Sequence, residues 1–430
     1  MKIKINNKFL SDNLRRSGYF SFITALLIVI VLPVHVKFIS PLLILWCVFW
    51  LLKTFFWNAS ESVIMKPVKL LFILFIIYYV WQAVGLIYSA DTIMGLSNLF
   101  GRLSLVLFPL VLVIPGEMIK KKINVLIRIF AASTFFFILI CFSYALYRST
   151  HFQNGLLTFN PHPPEFFWLN YFYSSELTLN QHPSYIAMYV LLGFFICFES
   201  FFDYSNNIIR RIAWFVTGVL LLITQYFLSS RAGILISLIL VPIYFIIKLR
   251  RLHKNKHSWV LIILIIVAIV PLVIKNQRVD YLFGKVFNNQ VGYERKEDPR
   301  FTIWKSGMEI AKKNLLVGVG IGDVRTELSL EYQRIGEEQM AIEKFNAHNQ
   351  FLEVLLENGI IGLIIFLSIF PCMIYIAVKT NNLLYLMFII MMLSFFLFET
   401  VLYRLAGVSF FSLFSFLLIY VKDDILKPNI

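Results

Sequence analysis

Few side chains in this 430-residue sequence are equipped for chemistry, and those few recur at the borders of apolar runs. His348 and Asn349 stand in "EKFNAHNQFLEVLLENGIIGLIIFL", residues 343–367, where a polar approach turns into a long apolar stretch. Arg300 opens "RFTIWKSGMEIAKKN", and Trp304 follows it by one turn on the same helical side. Arg231 lies in "LSSRAG", His182 in "NQHPSYIAMY" and Arg102 in "LFGRLSLVLFP". Imidazole is the natural general base near neutral pH. Guanidinium never loses its charge and grips phosphate oxygens in forked pairs. Two or three arginines and one histidine, gathered on one membrane face, suit a lipid-diphosphate donor and a hydroxyl acceptor.

Plainer roles compete for the same residues. A basic residue at an apolar helix end commonly reaches for lipid headgroups, which serves as the alternative for Arg102, Arg148 and Arg404. His182, just before Pro183, is placed to cap a helix, and His348 suits an ordinary interfacial position. "GVGIG", residues 318–322, resembles a phosphate-cradling loop, but a lone glycine cluster is a weak signal, and it reads here as a turn between two helices. No GxSxG, HExxH or P-loop lysine occurs, and no D-x-D pair falls where a metal-bound nucleotide sugar would need it. No metal and no cofactor is expected. The four cysteines, Cys47, Cys141, Cys197 and Cys372, sit inside apolar runs and read as small hydrophobes.

The elements that must position these groups are membrane helices. The sequence is 59% hydrophobic, with 44 phenylalanines and a mean hydropathy of +0.77, well beyond a soluble domain. Runs long enough to span a bilayer fall at 18–36, 38–56, 68–88, 97–115, 122–147, 182–201, 208–228, 231–248, 258–275, 351–378, 382–402 and 405–421. The expected fold is all-α: a polytopic membrane protein of about 12 spans. The first span reads as an uncleaved helix, and the turn at 228–231 alternatively belongs to one long hairpin.

Lys and Arg set the orientation. One face receives Lys2, Lys4, Lys8, Arg15 and Arg16, then Lys120 to Lys122, Arg210, Arg211 and the cluster from Lys248 to Lys256. The short loops opposite hold isolated cations only. Both termini are therefore expected in the cytoplasm, and nucleic acid is not an expected partner despite the net charge of +15. The division is spans one to nine over 1–275, a loop outside the membrane over 276–350, and spans ten to twelve over 351–430. A loop that long is expected to be ordered and functional. Asp298-Pro299 should open one helix, Asp323 should cap a second running through "VRTELSLEYQRIGEEQMAIEKF", and Asn346 should cap span ten, with His348 in its first turn.

Three stretches carry a family likeness. "HNQFLEVLLENGIIGLIIF" resembles the HN-x-[FY]-L…E-x-G-x-x-G signature of the O-antigen ligase and Wzy polymerase superfamily. "SSRAG" resembles its S-R-[AG]-[AG] turn, and "RFTIWKSGMEIAKKNLLVGVGIG" its R-x-x-x-W…P-x-x-G-x-G-x-G stretch, with Leu316-Val317 where the family usually has proline. The likeness covers about residues 181–367. It implies a GT-C-type fold and a metal-independent, inverting glycosyl transfer outside the cytoplasmic (inner) membrane. The donor would be a glycan on undecaprenyl diphosphate. The acceptor would be lipid A-core in a ligase, a second lipid-linked unit in a polymerase, or a protein hydroxyl in an O-oligosaccharyltransferase. By motif matching, Arg231 and Arg300 bind the diphosphate and His348 acts on the acceptor. Asn349 and Glu353 are candidates to orient the acceptor or the imidazole; Trp304, His182 and Arg102 complete the candidate substrate site.

A transporter of lipid-linked glycans is the reading from another class. Transporters place ionisable groups near mid-membrane and often show inverted repeats. This sequence gathers its candidates at one rim beside a large loop and shows no repeat, which favours an enzyme.

Overall fold

A computed structural model describes residues 7–56, 65–153, 155–163, 169–203, 207–251 and 299–421. The expected span at 258–275, the loop before residue 299 and Asp298 lie outside the described residues. Helices account for almost all regular structure, as a polytopic helical membrane protein requires. Among the described residues, seven helices are long and apolar enough to cross a membrane, and four shorter apolar ones accompany them. The described residues fall into two compact units, one within 1–126, 299–389 and 396–421, the other within 127–251 and 390–395.

The first unit holds α1 (Asn7–Val34), α2 (Ile39–Phe56), α3 (Lys66–Val84), α4 (Thr92–Gly101), α5 (Ser104–Val113) and α6 (Glu117–Lys121). The expected span 97–115 is in fact two helices, α4 and α5, broken at Arg102 and Leu103. At the break the Arg102 N–H still donates to the Asn98 carbonyl at 3.2 Å, and its side chain meets partners in the interior, as described below.

α7 (Ile123–Ser149) leads into the second unit and runs directly into a hairpin of β1 (Thr150–Gln153) and β2 (Leu156–Phe159). The hairpin was not anticipated, because its polar–apolar alternation is short and lies within an irregular loop. α8 (Ser174–Leu177), α9 (Pro183–Phe202), α10 (Ile208–Leu228) and α11 (Arg231–Arg251) follow. α9 is buried along nearly its whole length, consistent with its near-continuous apolar sequence. The 228–231 turn separates two helices, with Ser229 left-handed at φ 53°. Ser230 caps α11 by accepting from the Gly233 N–H at 3.2 Å. A Cβ on Gly233 would lie 2.8 Å from both the Ala187 Cβ and the Gln225 Oε1, so the small residue keeps this turn against α9.

Among the described residues, the segment from Pro299 to Asn349 carries three helices. Pro299 opens α12 (Pro299–Lys313), and α13 (Val324–Arg334) and α14 (Glu338–Ile342) follow. The expected second helix is thus two pieces: Gly336, at φ 83°, ends the first. Ile303, Ile310, Val324, Leu328 and Tyr332 pack with Ala347 and Leu352 into a core that seats these helices on α15 (Gln350–Lys379). α16 (Leu383–Phe396) and α17 (Leu405–Leu417) complete the described chain.

Two caps differ from expectation. Asp323 sits at the N-cap position of α13 but makes no cap bond. Its carboxylate instead accepts from the N–H groups of Ala90 (2.7 Å) and Asp91 (2.8 Å), tying the loop to the start of α4. At α15 the cap is Asn349, whose Oδ1 accepts from Phe351 and Leu352 N–H at 2.9 and 3.0 Å. Asn346 instead accepts from the His348 N–H at 3.0 Å. His348 therefore precedes the helix rather than lying in its first turn.

Candidate functional site

Within the first unit, three segments meet at the start of α15: the first turns of α12, the connector 343–349, and residues 397–400 after α16. α16 ends at Phe396, short of the span expected to reach 402. The chain beyond it turns three consecutive residues toward three of the candidates. The Leu397 carbonyl accepts from Asn349 Nδ2 at 3.3 Å. The Phe398 ring lies under the Arg300 guanidinium, 5.9 Å from its centroid. The Glu399 carboxylate stands 3.6 Å from His348 Nδ1. That distance is too long for a hydrogen bond but suits an ion pair once the imidazole carries a proton.

The backbone under His348 is tightly determined. His348 itself is left-handed at φ 44°, a conformation that non-glycine residues rarely adopt. Lys344, at φ 50°, shares it. Such strain persists only where surrounding contacts over-determine it, and here they do. Ala347 is buried in the loop core. Its carbonyl accepts from Trp304 Nε1 at 3.1 Å, and its N–H donates to Glu353 Oε2 at 3.2 Å. Arg325 Nη1 donates to the Lys344 carbonyl at 2.7 Å while its guanidinium stacks 4.2 Å from the Tyr403 ring. Burial pushes the nearby Tyr332 hydroxyl well above the usual phenol range, and the Glu353 charge adds to this, so Tyr332 stays protonated. The His348 side chain is 30% exposed, and its Nδ1 has no hydrogen-bond partner. The result is an imidazole on a fixed pedestal, open on one side and faced by a carboxylate on the other.

Arg102 behaves differently. It is 2% exposed, and its fork is closed by Glu357: Nη1 donates to Oε2 at 2.7 Å and Nη2 to Oε1 at 2.5 Å. Nη1 also donates to Gln82 Oε1 at 2.9 Å. It does not reach for headgroups. Around this pair α15 is interrupted at Gly359 (φ 63°, ψ −169°). The Leu356 and Glu357 carbonyls accept from Val319 and Gly320 N–H at 2.8 and 3.1 Å, and the Ile360 N–H donates to the Leu315 carbonyl at 2.8 Å. A Cβ on Gly318 would come within 2.4 Å of the Leu356 carbonyl oxygen. "GVGIG" is thus a turn, as read from sequence, in which Gly318 admits the broken helix at backbone contact while Gly320 and Gly322 pack against residues 85–95. The expected span 351–378 is real but kinked, and the loop restores the hydrogen bonds that the kink removes.

The remaining two candidates lie in the second unit. His182 occupies the N-cap position of α9 without a side-chain cap bond, its ring 5.6 Å from that of Tyr185. Arg231 is the first residue of α11, half-buried, beside the Ser230 cap.

Sequence reasoning missed Glu399, although a signal existed. It is the only acidic residue between 382 and 421, and an isolated charge in an apolar run calls for an explanation. Arg325 and Tyr403 gave no such signal, since their role depends on which loops meet.

Residues 216–367 match the family model described as O-antigen ligase. This stretch contains Arg231, Arg300, Trp304, His348 and Asn349. No curated protein matches the chain.

Proposed function

We propose that this chain, whose residues 216–367 match the family model described as O-antigen ligase, is a membrane glycan-transfer enzyme of the ligase or polymerase kind, and specifically an O-antigen ligase. In this reading it moves a glycan from undecaprenyl diphosphate to a hydroxyl of lipid A-core, with inversion and without a metal. The site faces outward from the inner membrane, and both termini are cytoplasmic. The observation that carries the reading is the convergence of Leu397, Phe398 and Glu399 on Asn349, Arg300 and His348.

The reaction needs one proton acceptor and a charged cradle. The acceptor hydroxyl attacks the anomeric carbon, and its proton passes to His348. The tautomer that keeps its hydrogen on Nδ1, toward Glu399, leaves Nε2 as the base. The imidazolium then formed is met by the Glu399 carboxylate, the same division of labour by which an acid orients a histidine in other active sites. The bond from the anomeric carbon to the phosphate oxygen breaks, and lipid diphosphate departs with the electron pair. A stable anion of this kind requires no acid to help it leave, unlike the alkoxide that glycosidases protonate. Cations that meet its growing charge help instead, by about 3–4 kcal/mol per group at comparable sites. Arg300, held over Phe398, takes that task in the first unit. Trp304, proposed from sequence to touch substrate, serves instead as a positioning residue through its bond to the Ala347 carbonyl.

Glycan analysis of a deletion strain tests the proposal. Loss of polymer from lipid A-core, with long lipid-linked chains accumulating, is the expected result. A single repeat unit on lipid A-core would make the enzyme a polymerase, and unchanged glycans would refute both.

A further inference from the structure

The hairpin β1–β2 is two-faced, and we infer that its apolar face lies in the boundary layer of the bilayer, as an anchor for the end of α7. The register pairs Thr150 with Phe159, His151 with Thr158 and Phe152 with Leu157. Partners directly opposite share a face, and alternate residues join them. One face therefore carries Phe152, Leu157 and Phe159 with Thr150. The opposite face carries His151 and Thr158, with the Gln153–Leu156 pair beside the turn and Leu156 71% exposed; the Thr158 hydroxyl donates to the His151 carbonyl at 3.0 Å. The protein leaves the apolar face open: Phe152 is 81% exposed, Leu157 65% and Phe159 59%. An isolated two-stranded hairpin is at best marginally stable in water, so an uncovered apolar face of this kind calls for a partner.

The adjoining helix identifies that partner as lipid. α7 is an apolar helix of spanning length. Its outward residues Phe136, Ile140, Tyr144 and Tyr147 follow one another at helical spacing, all exposed. That stripe is apolar along its length and ends in two tyrosines, the residue type enriched at membrane–water interfaces. Arg148 closes it, its guanidinium 5.6 Å from the Tyr144 ring and 3.9 Å from that of Tyr171, with Nη2 donating to Glu176 at 3.0 Å. The chain passes from this girdle into β1 without a break. The hairpin base is fixed to the unit by the Phe159–Phe172 ring contact at 6.1 Å and by the Asn160 N–H donating to the Ser149 carbonyl at 2.7 Å. The lipid-facing surface of α7 thus continues onto the hairpin, while the polar face remains for water.

Nitroxide labels test this in the full chain reconstituted into phosphatidylcholine–phosphatidylglycerol vesicles. Labels go at Phe152→Cys, Leu157→Cys and Thr158→Cys, with the unsubstituted protein as control for the native cysteines. Oxygen concentrates in lipid, and a nickel chelate stays in water. The expected ratio of oxygen to nickel collisions exceeds unity at residues 152 and 157 and falls below it at 158. Nickel access at 152 and 157 equal to that at 158 would show a solvated hairpin and overturn the inference. Exclusion of both reagents at 152 and 157 would overturn it too, by showing a protein cover such as a second copy. The outcome does not depend on the reaction the protein catalyses.

Discussion

α15 carries two charged constellations that answer the same sequence signal in opposite ways. At Glu357 the helix meets Arg102 in a closed fork, both groups 2% exposed and every oxygen of the carboxylate engaged. Before its first turn, His348 stands 30% exposed, left-handed in its backbone, with Glu399 at ion-pair distance and no hydrogen bond on Nδ1. The first arrangement has nothing left to offer a ligand. The second keeps unspent hydrogen-bonding capacity and backbone strain, the features that the proposed reaction asks of its site. Position at a helix end does not separate them; saturation of the polar atoms does.

Five variants break or sharpen this contrast, and the largest effect belongs to the open site. His348→Ala should lower glycan transfer by about 10²–10⁴-fold, the usual worth of a positioned base, while detergent-solubilised protein keeps its yield and elution profile. Normal transfer by that variant removes the base assignment. At the closed site the expectation reverses. Arg102→Ala strands a buried carboxylate and should cost about 3–5 kcal/mol, read as lost membrane-integrated protein. The double change Arg102→Met with Glu357→Leu removes both charges and should recover most of that yield, since apolar replacements of a buried pair are often neutral. If the double variant is as damaged as the single one, the pair does more than neutralise itself.

Glu399→Gln keeps the shape beside His348 but removes the charge that meets the imidazolium. Turnover should drop by about tenfold, equivalent to ~1.4 kcal/mol of barrier, with protein abundance unchanged. A loss of abundance instead would make Glu399 a structural partner. The smallest effect is expected from Trp304→Phe, which keeps the ring and deletes the donor to the Ala347 carbonyl. One net hydrogen bond is worth about 1 kcal/mol, and the loss should appear in kcat rather than KM, because in the proposed mechanism the indole positions the base rather than the substrate. A change confined to KM would return Trp304 to the substrate.

The sequence by itself determined the class of molecule, most of its spans and the residues worth watching. Hydrophobic runs report a bilayer directly, because a spanning helix must be apolar over its whole length, and so α7, α9, α10, α11 and α15 fall close to their expected bounds. His348, Asn349, Arg300 and Trp304 stood out because polar chemistry beside apolar helix starts is costly and rare. Only the tertiary structure decided which of these groups are used up and which are open. That Arg102 meets a carboxylate 255 positions away, that Glu399 faces His348, and that Gly318 admits a broken helix are matters of which distant segments touch. Local periodicity sets the direction of a side chain within its own helix, but the partner across the packing interface comes from elsewhere in the chain. Saturation of a buried polar atom is therefore a property of the folded molecule alone.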